Sequence, residues 1–385
     1  MNYFRKSVCG HGKKAVLTDF FIIFVCLNYN ENMKAEISKV TINDVAKAAG
    51  VSKGTVDRVI HNRGEVSRKS REKVLRVIDE LGFKPNLYAS LLASQKERTI
   101  CCIIPECRPG EFWSMTRKGI QDAAAVVSRY GVKVVCAGFD QYSVDSFRMA
   151  CDSVVSMNPS GVLVAPMFRD ETMRLADSLS SSGIPFMFLD SKIDDAGYLA
   201  YFGMPMYESG YLCADILTGG RNIPHKVYVV RISRDKTGLS DPTAARRAGF
   251  MDFMARHYPE TQIENVFIDP KDAASIHERL DATVGREKDG RFVVMFNSRI
   301  HLVADYLSVK GFHDCRVVGF DALERNVAAL KDGTVYALIA QHTDRQALDA
   351  VNAMTDHLLL GTPVAKRDNF IQMDILNRYN CDYYL

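Results

Sequence analysis

Two short stretches near the start of the chain carry apolar residues at the spacing of α-helices. Thr41 and Asp44 can form a capping box on the first helix, and Gly50 can end that helix in the left-handed conformation. Ser52 can cap the second. The expected buried faces are Ile42, Val45, Ala46 and Ala49 in the first helix, and Val56, Val59 and Ile60 in the second. This pattern indicates a helix-turn-helix, although an ordinary helical hairpin would give the same local pattern.

A third helix is predicted directly downstream. Ser67 is placed to cap it and Gly82 to close it, and its apolar positions are Val74, Val77, Ile78 and Leu81. The segment from Phe83 to Ala93 then brings a proline and a short run of small and apolar residues.

From Val40 to Ala93 the sequence resembles the DNA-binding headpiece of the lactose-repressor/galactose-repressor (LacI/GalR) family of bacterial transcription factors. The likeness includes the Asn-Arg-Gly-x-Val-Ser link at 62–67 and the Gly-Phe-x-Pro-Asn lead into a hinge helix at 82–86. It implies that the second helix enters the major groove of double-stranded operator DNA, while the hinge helices of a homodimer insert Leu92 into the minor groove. The DNA-contacting residues implied are Thr41, Ser52, Lys53, Gly54, Thr55, Asp57, Arg58, Asn62, Arg68, Asn86, Ala89, Leu92 and Ala93.

The recognition helix departs from the family pattern at two positions. The family usually has Ser-x-x-Thr-Val-Ser-Arg, whereas residues 52–58 read Ser-Lys-Gly-Thr-Val-Asp-Arg. Asp57 puts a negative charge where the family has serine; it can accept from a cytosine amino group but is repelled by phosphate. Gly54 removes a side chain from a position that the family uses to read bases. We therefore expect an operator preference different from that of better-known members.

From residue 99 onward, apolar runs of strand length alternate with helical patterns. The predicted strands are Thr99–Ile104, Val132–Phe139, Gly161–Ala165, Pro185–Leu189, Val227–Ile232, Val266–Ile268, Val293–Phe296, Val317–Phe320 and Val335–Ala340. Unbroken apolar strands between helices indicate parallel sheets covered on both faces. Two such runs, with a break near Pro205, predict two doubly wound α/β subdomains with a cleft between them.

Polar and aromatic residues follow most of these strands, where parallel sheets bind ligands. Carboxylates and amides can bond hydroxyl groups and aromatic rings can cover apolar ring faces, which suits a sugar-sized ligand. Each residue taken alone could equally be a polar loop residue or a helix cap. The ligand-binding residues predicted at these strand ends are Phe112, Trp113, Asp140, Phe168, Asp190, Asn297, Asp321 and Gln341.

This body resembles the periplasmic-binding-protein-like effector domain of the same family. The resemblance rests on the Arg-x-x-Gly-Phe element at 246–250, which implies Arg246 as a clamp for sugar hydroxyls, and on Gly-Phe-Asp at 319–321. It also rests on the strand-end Asp190, the aromatic pair at 112–113 and Gln341. Ser298 replaces an aspartate that often follows Asn297 in the family.

Charge is divided unevenly along the chain. Residues 33–98 hold 14 Lys and Arg against 8 Asp and Glu, whereas residues 99–385 hold 31 against 36. A basic segment joined to a mildly acidic body suits one module that contacts phosphates and another that does not. A solvated basic helix is the plainer interpretation of the run at 68–76.

The remaining features exclude some classes of protein. Ten cysteines without a CxxC motif are too sparse for a disulfide scaffold, and we interpret them as small buried hydrophobes in a reduced cytosol. No histidine, cysteine and carboxylate set has zinc spacing, so neither a metal nor another cofactor is expected. The apolar run at 20–27 is too short to span a bilayer and lacks a cleavage site. We expect no membrane partner, and a non-native or disordered extension over residues 1–32.

The resulting prediction is an all-α helix-turn-helix headpiece followed by a type I periplasmic-binding-protein-like α/β core. The expected boundaries are 33–84 for the headpiece, 85–98 for the hinge helix and linker, 99–205 with 343–365 for the N-subdomain, and 206–342 with 366–385 for the C-subdomain. Such a chain would be a cytoplasmic, homodimeric transcriptional repressor controlled by a sugar or sugar-like ligand. A sugar receptor without DNA function is the alternative, and an enzyme is disfavoured because no nucleophile–base pair is visible.

Overall fold

A computed structural model describes residues 40–60, 64, 66–83, 97–219, 225–232, 243–288 and 290–384. The described residues fall into two compact units divided near residue 90. The predicted hinge helix and the extension at 1–32 lie outside the described residues.

The described part of the first unit contains three helices: α1 (Ile42–Ala49), α2 (Lys53–Ile60) and α3 (Arg68–Glu80). The predicted caps are confirmed, since Thr41 and Asp44 form the capping box, Gly50 has φ of 60°, and the Ser52 and Ser67 hydroxyls accept from Thr55 N and Ser70 N. Val45, Ala49, Val56 and Val74 are fully buried and form the small core with Val59, Val77 and Phe83. Leu81 was predicted as an apolar position of the third helix, but α3 ends at Glu80, and Leu81 belongs to the turn that follows and is 39% exposed.

The second unit has two lobes, each built on a six-stranded sheet. The N-lobe comprises β1 (Arg98–Pro105), α4 (Phe112–Val127), β2 (Val132–Phe139), α5 (Val144–Ser156), β3 (Gly161–Val164), α6 (Arg169–Ser181), β4 (Phe186–Leu189), β5 (Ala200–Gly203), α12 (Thr343–Leu360) and β11 (Asp368–Phe370). Its strand order is β11-β5-β4-β3-β1-β2 and all its pairs are parallel. Helices α4 and α12 pack against each other beside this sheet.

The C-lobe comprises α7 (Met206–Thr218), β6 (Lys226–Ile232), α8 (Ala244–His257), β7 (Gln262–Ile268), α9 (Ala273–Ala282), β8 (Arg291–Met295), α10 (His301–Lys310), β9 (Cys315–Phe320), α11 (Glu324–Asp332), β10 (Ala337–Gln341) and β12 (Met373–Leu376). Its strand order is β12-β10-β9-β8-β6-β7. Parallel sheets were predicted, but strand β12 pairs antiparallel with β10, so the sheet of the C-lobe is mixed. Apolar side chains fill both faces, because every strand except the edge strands lies between helices.

The doubly wound architecture predicted from the alternating pattern is confirmed, but three short strands were missed. Strands β11 and β12 have three and four residues and contain aspartate, so they lack the unbroken apolar run that marked the predicted strands. The four-residue strand β5 was also missed. Strand β11 pairs with β5, so residues 368–370 belong to the N-lobe sheet rather than to the C-subdomain, where the predicted boundary had placed them.

Helices α7 and α8 cross at very short range because each has a glycine at the contact. A Cβ atom on Gly210 would lie 1.7 Å from the carbonyl oxygen of Arg246, and one on Gly249 would lie 1.9 Å from that of Tyr207. These are backbone atoms of packed helices, so the contact can relax only if the helices separate. The crossing therefore fixes the position of the backbone that carries Arg246.

We expect Gly210→Ala to lower the free energy of unfolding by about 1–3 kcal/mol, because the added methyl group overpacks this crossing. Chemical denaturation of the full chain will measure the change. Asp215→Ala, on the exposed side of the same helix, is the control and should change stability little. Equal stability of Gly210→Ala and wild type would show that the crossing is not tightly packed.

Candidate functional site

The exposed surface of the headpiece includes the start of α2. Ser52, Lys53, Gly54 and Arg58 are exposed, whereas Thr55 and Asp57 are half-buried. The Ser52 hydroxyl accepts from Thr55 N and caps α2, and it lies 2.9 Å from the Thr55 hydroxyl. In this structure the two predicted DNA contacts therefore stabilise the start of the helix. A glycine at 54 leaves the first turn of α2 open on that side, since the nearest atom to a Cβ there would be 3.8 Å away.

Two further predicted DNA contacts belong to the flanking helices. Thr41 is exposed, but its hydroxyl and its amide both donate to the Asp44 carboxylate, at 2.7 and 2.8 Å. Arg68 is exposed and forms an ion pair with Glu72 at 2.9 Å. Lys69 is exposed beside it. The predicted contacts outside the described residues are Asn62, Asn86, Ala89, Leu92 and Ala93.

A cavity of about 390 Å³ lies between the two lobes of the second unit. Seven of the nine residues predicted to bind a ligand line it, and they come from both lobes: Phe112, Trp113, Asp190, Arg246, Asn297, Asp321 and Gln341. They converge because the carboxyl ends of both sheets face the cleft. Gln141, Met206 and Thr243 also contribute to the lining.

Asp140 and Phe168 were predicted to line the cleft, but they do not. Asp140 is exposed, and its carboxylate accepts from Tyr142 N at 2.9 Å to close the turn after β2; the next residue, Gln141, reaches the cavity instead. Phe168 is 4% exposed and packs against Phe147 in the N-lobe core. A strand-end position predicts proximity to the cleft but not the side to which the next side chain turns.

The two aspartates of the cleft share an uncommon backbone conformation. Asp190 follows β4 with φ of 68°, and Asp321 follows β9 with φ of 66°. Aspartate is among the few non-glycine residues that adopt this left-handed conformation readily. Each bend ends its strand at the cleft. The bend at Asp190 is held by the Tyr201 hydroxyl, which donates to the Asp190 carbonyl at 2.8 Å.

A chain of amides supports Asp321. Gln341 donates to the Asp321 carboxylate at 3.2 Å, and Gln346 donates to the side-chain oxygen of Gln341 at 2.7 Å. All three side chains are buried. Gln346 lies one turn into α12. No local pattern predicts its role, because that role depends on where α12 packs.

Burial raises the pKa of Asp321 to about 7. The positive charge of Arg246 and the hydrogen bond from Gln341 oppose this rise, and the negative charge of Asp190 adds to it. Near neutral pH the carboxyl group therefore exists in both forms. It can accept hydrogen bonds from a ligand when ionised, and it can also donate one when protonated.

Arg246 is 4% exposed and is held on all sides. Its Nε donates to the Ser209 hydroxyl at 3.1 Å, Nη1 donates to the Phe296 carbonyl, and Nη2 lies 3.1 and 3.2 Å from the sulfur atoms of Met204 and Met206. The guanidinium also stacks on Phe320, 3.9 Å from its ring centroid. Burial lowers its pKa, an effect that Asp321 and Asp190 oppose. These contacts fix the positive charge at the base of the cavity.

A network that sequence analysis missed orders the rim of the cavity. Asn326 is fully buried, and its Nδ2 donates to the carbonyls of Ser298, Phe320 and Asp321 at 2.9–3.1 Å. Its Oδ1 accepts from His301 N and lies 2.9 Å from His301 Nδ1. Because that oxygen can only accept, neutral His301 carries its proton on Nδ1. Burial lowers the pKa of His301, which favours this neutral form.

Two aromatic rings form the N-lobe side of the cavity. Phe112 and Trp113 pack edge to face with centroids 5.1 Å apart, and Trp113 is 4% exposed. Polar groups at the base and aromatic groups at one wall form a site that can hold a small polyol. Over the described ranges, no group of three histidine, cysteine or acidic side chains could hold a metal ion.

We expect Arg246→Ala to lower both stability and ligand affinity. The change leaves the Phe296 carbonyl without the arginine in a buried site, at a cost of about 1–3 kcal/mol. It also removes one partner of the Ser209 hydroxyl, which still donates to the Met206 carbonyl. Denaturation and calorimetry of the full chain will measure the two effects. Arg256→Ala, which removes an exposed arginine of the same helix, should change neither. An Arg246→Ala protein as stable as wild type would contradict the contacts described.

Comparison with known proteins agrees with this arrangement of a helix-turn-helix and a two-lobed core. Residues 41–86 match the model for bacterial regulatory proteins of the lacI family, and residues 102–362 match that for a periplasmic binding protein domain. A solved structure from Bacteroides fragilis, assigned as a LacI transcriptional regulator, is 31% identical with a TM-score of 0.71 and covers 75% of this chain and 100% of its own. The chain belongs to the LacI family of bacterial regulatory proteins.

Similarity to curated relatives is more local. Catabolite control protein A of Streptococcus mutans is 41% identical over 102 residues, which is 26% of this chain and 29% of the relative. The ribose operon repressor of Lactococcus lactis is 24% identical over 291 residues, 74% of this chain and 81% of the relative. The chain spans 25–44% of the length of the first three curated relatives that it matches. Within the part of the chain that the structure describes, no helix is both long and apolar enough to cross a membrane.

Proposed function

We propose that this chain is a transcriptional regulator that binds operator DNA through its helix-turn-helix and releases or engages it in response to a sugar or sugar derivative in the cleft. The observation that carries the proposal is the cavity between the lobes, which combines Arg246, Asp190, Asp321 and Gln341 with an aromatic wall. Family membership supports the DNA-binding part. A regulator of this kind acts in the cytoplasm as a homodimer on a pseudo-palindromic site.

The headpiece supports direct readout of bases. Lys53 and Arg58 are exposed on α2, and arginine and lysine are the side chains that most often pair with guanine in the major groove. Lys69 and Arg68 at the start of α3 are the proposed phosphate contacts. The nine cleft residues predicted from the sequence reduce to seven in this proposal, because Asp140 and Phe168 lie outside the cavity.

A sugar-binding receptor without DNA function would need no basic three-helix unit, and the fit of residues 41–86 to the lacI family model disfavours it. An enzyme is also disfavoured. The Asp321 carboxylate accepts from Gln341 rather than from a nucleophile, and the family consists of regulators. We therefore propose reversible binding of the ligand without turnover.

A thermal-shift screen of the full chain against monosaccharides, disaccharides and sugar acids tests the ligand part of the proposal. Ribose is included because a relative is named as a ribose operon repressor. A ligand present at 100 times its Kd adds about 2.7 kcal/mol to stability, which raises Tm by several degrees. Asp321→Asn serves as the control for binding in the cleft. A screen in which no sugar stabilises the wild type would contradict the sugar-controlled part.

A further inference from the structure

Cys102 and Cys136 form a pair across two neighbouring strands of the N-lobe. They are register partners in β1 and β2, which run parallel, so their side chains lie on the same face of the sheet. Neighbouring strands are about 4.8 Å apart, and a disulfide joins Cα atoms separated by about 4.4–6.8 Å. The two thiols are close enough for each to affect the pKa of the other. The pair can therefore be joined without moving the strands far.

The two cysteines differ in access to solvent. Cys102 is fully buried on a central strand, whereas Cys136 is half-buried on β2, the edge strand of the sheet. Cys136 is therefore the more accessible of the two cysteines to an oxidant. Cys102 is its register partner on the neighbouring strand, so the thiol of Cys102 is placed to attack an oxidised Cys136 sulfur and form a disulfide.

A positive charge stabilises the reactive form of Cys136. Arg117 on α4 contributes its charge to this site, and its Nε is buried without a hydrogen-bond partner among the described residues. The interaction with Cys102 and the charge of Arg117 lower the pKa of Cys136 to about 7, against the effect of burial. Burial has the opposite result at Cys151, where it raises the pKa to about 12. Cys136 is therefore distinct from a cysteine that only fills the core.

We propose that Cys136 and Cys102 form a peroxide-sensitive thiol pair that closes to a reversible disulfide. The Cys136 thiolate attacks hydrogen peroxide; an S–O bond forms, the O–O bond breaks and hydroxide leaves, giving a sulfenic acid. The Cys102 sulfur then attacks the Cys136 sulfur; the S–S bond forms, the S–O bond breaks, and the departing hydroxide takes the Cys102 proton as water. Two thiols and one peroxide yield one disulfide and two waters.

Peptide mapping of the full chain tests the proposal without any sugar or DNA. The reduced protein is treated with hydrogen peroxide at pH 7, the free thiols are blocked with iodoacetamide, and the products are identified by mass spectrometry. We expect a peptide linking Cys102 to Cys136 that disappears after treatment with dithiothreitol. We also expect iodoacetamide to label Cys136 in the untreated protein about tenfold faster than Cys151.

Three variants test the separate roles of Cys102, Arg117 and Cys151 in this reaction. Cys102→Ser should stop at the Cys136 sulfenic acid, which dimedone traps. Arg117→Met should slow labelling of Cys136 severalfold, and Cys151→Ser should leave the disulfide yield unchanged. Labelling of Cys136 no faster than Cys151, or peroxide converting Cys136 to a sulfinic acid while Cys102 stays free in the wild type, would overturn the proposal. Because no arm uses a sugar or an operator, failure here is independent of the proposed function.

Discussion

Asp321→Asn is expected to stabilise the unliganded protein above pH 7 while removing tight sugar binding. The folded-state pKa of about 7 lies above the ordinary value of 3.8, so ionisation of Asp321 opposes folding. This penalty is absent below about pH 4, grows as the pH rises and is complete above about pH 7. A pKa difference of that size corresponds to at most about 4 kcal/mol. Asparagine cannot ionise, and it tolerates the φ of 66° at this position.

Thermal unfolding at pH 5, 6, 7 and 8 measures the stability effect. The wild type should lose stability relative to Asp321→Asn as the pH rises across this range, and Asp215→Asn, an exposed change on α7, should follow the wild type. Parallel pH curves for the wild type and Asp321→Asn would contradict an ionisable, buried Asp321.

The same carboxyl group should make sugar binding depend on pH. A hydroxyl group that donates to Asp321 forms its strongest hydrogen bond with the ionised carboxylate, which is about one tenth of the population at pH 6 and nearly all of it above pH 8. We therefore expect the Kd of a sugar found in the screen to be about tenfold weaker at pH 6 than at pH 8. Calorimetry of the wild type and Asp321→Asn at both pH values measures this. A Kd that does not change with pH would remove Asp321 from direct contact with the ligand.

The second large effect is expected in the recognition helix. Lys53→Ala and Arg58→Ala should each weaken binding to a selected operator by about 1–3 kcal/mol and relax the preference at one position of each half-site. Both side chains are exposed on α2 and form no part of the headpiece core, so the loss should not come from unfolding. Binding curves for the operator and for random duplex measure the two effects.

Lys69→Ala is the matched control for charge, because it removes one exposed lysine at the start of α3 instead of α2. Loss of a phosphate contact should weaken binding to the operator and to random duplex alike, and it should reduce the slope of log K against log salt concentration by about one. Arg68→Ala should do less, since Arg68 also pairs with Glu72. If Lys53→Ala lowered both affinities equally, Lys53 would be a phosphate contact.

Sequence reasoning was strongest where local chemistry determines structure. The caps at Thr41, Ser52 and Ser67 and the left-handed Gly50 follow from side-chain hydrogen bonding and backbone freedom within a few residues. The long apolar strands were found because burial on both faces leaves an unbroken run. Six cleft residues were identified because strand ends of parallel sheets meet at one edge, and the seventh, Arg246, was identified from the family resemblance.

What sequence reasoning missed depends on tertiary contacts. Asn326 and Gln346 are buried polar residues within helices, and nothing in their local sequence shows that they hold the loops and carboxylates of the cleft. The tautomer of His301 follows only from the position of Asn326. The pairing of Cys102 with Cys136 likewise requires the strand register, which residues 34 positions apart cannot reveal.

The central claim is that one ligand in the cleft controls DNA binding by the headpiece, and operator binding in the presence and absence of that ligand tests it most directly. Duplexes are selected from a random library by the full-length protein, and their Kd is measured by fluorescence anisotropy with and without a sugar from the screen. We expect the sugar to change the operator Kd at least tenfold in the wild type, and not in Asp321→Asn, because coupling between two sites requires binding at both. A sugar that binds the wild type by calorimetry yet leaves its operator Kd unchanged would contradict the account.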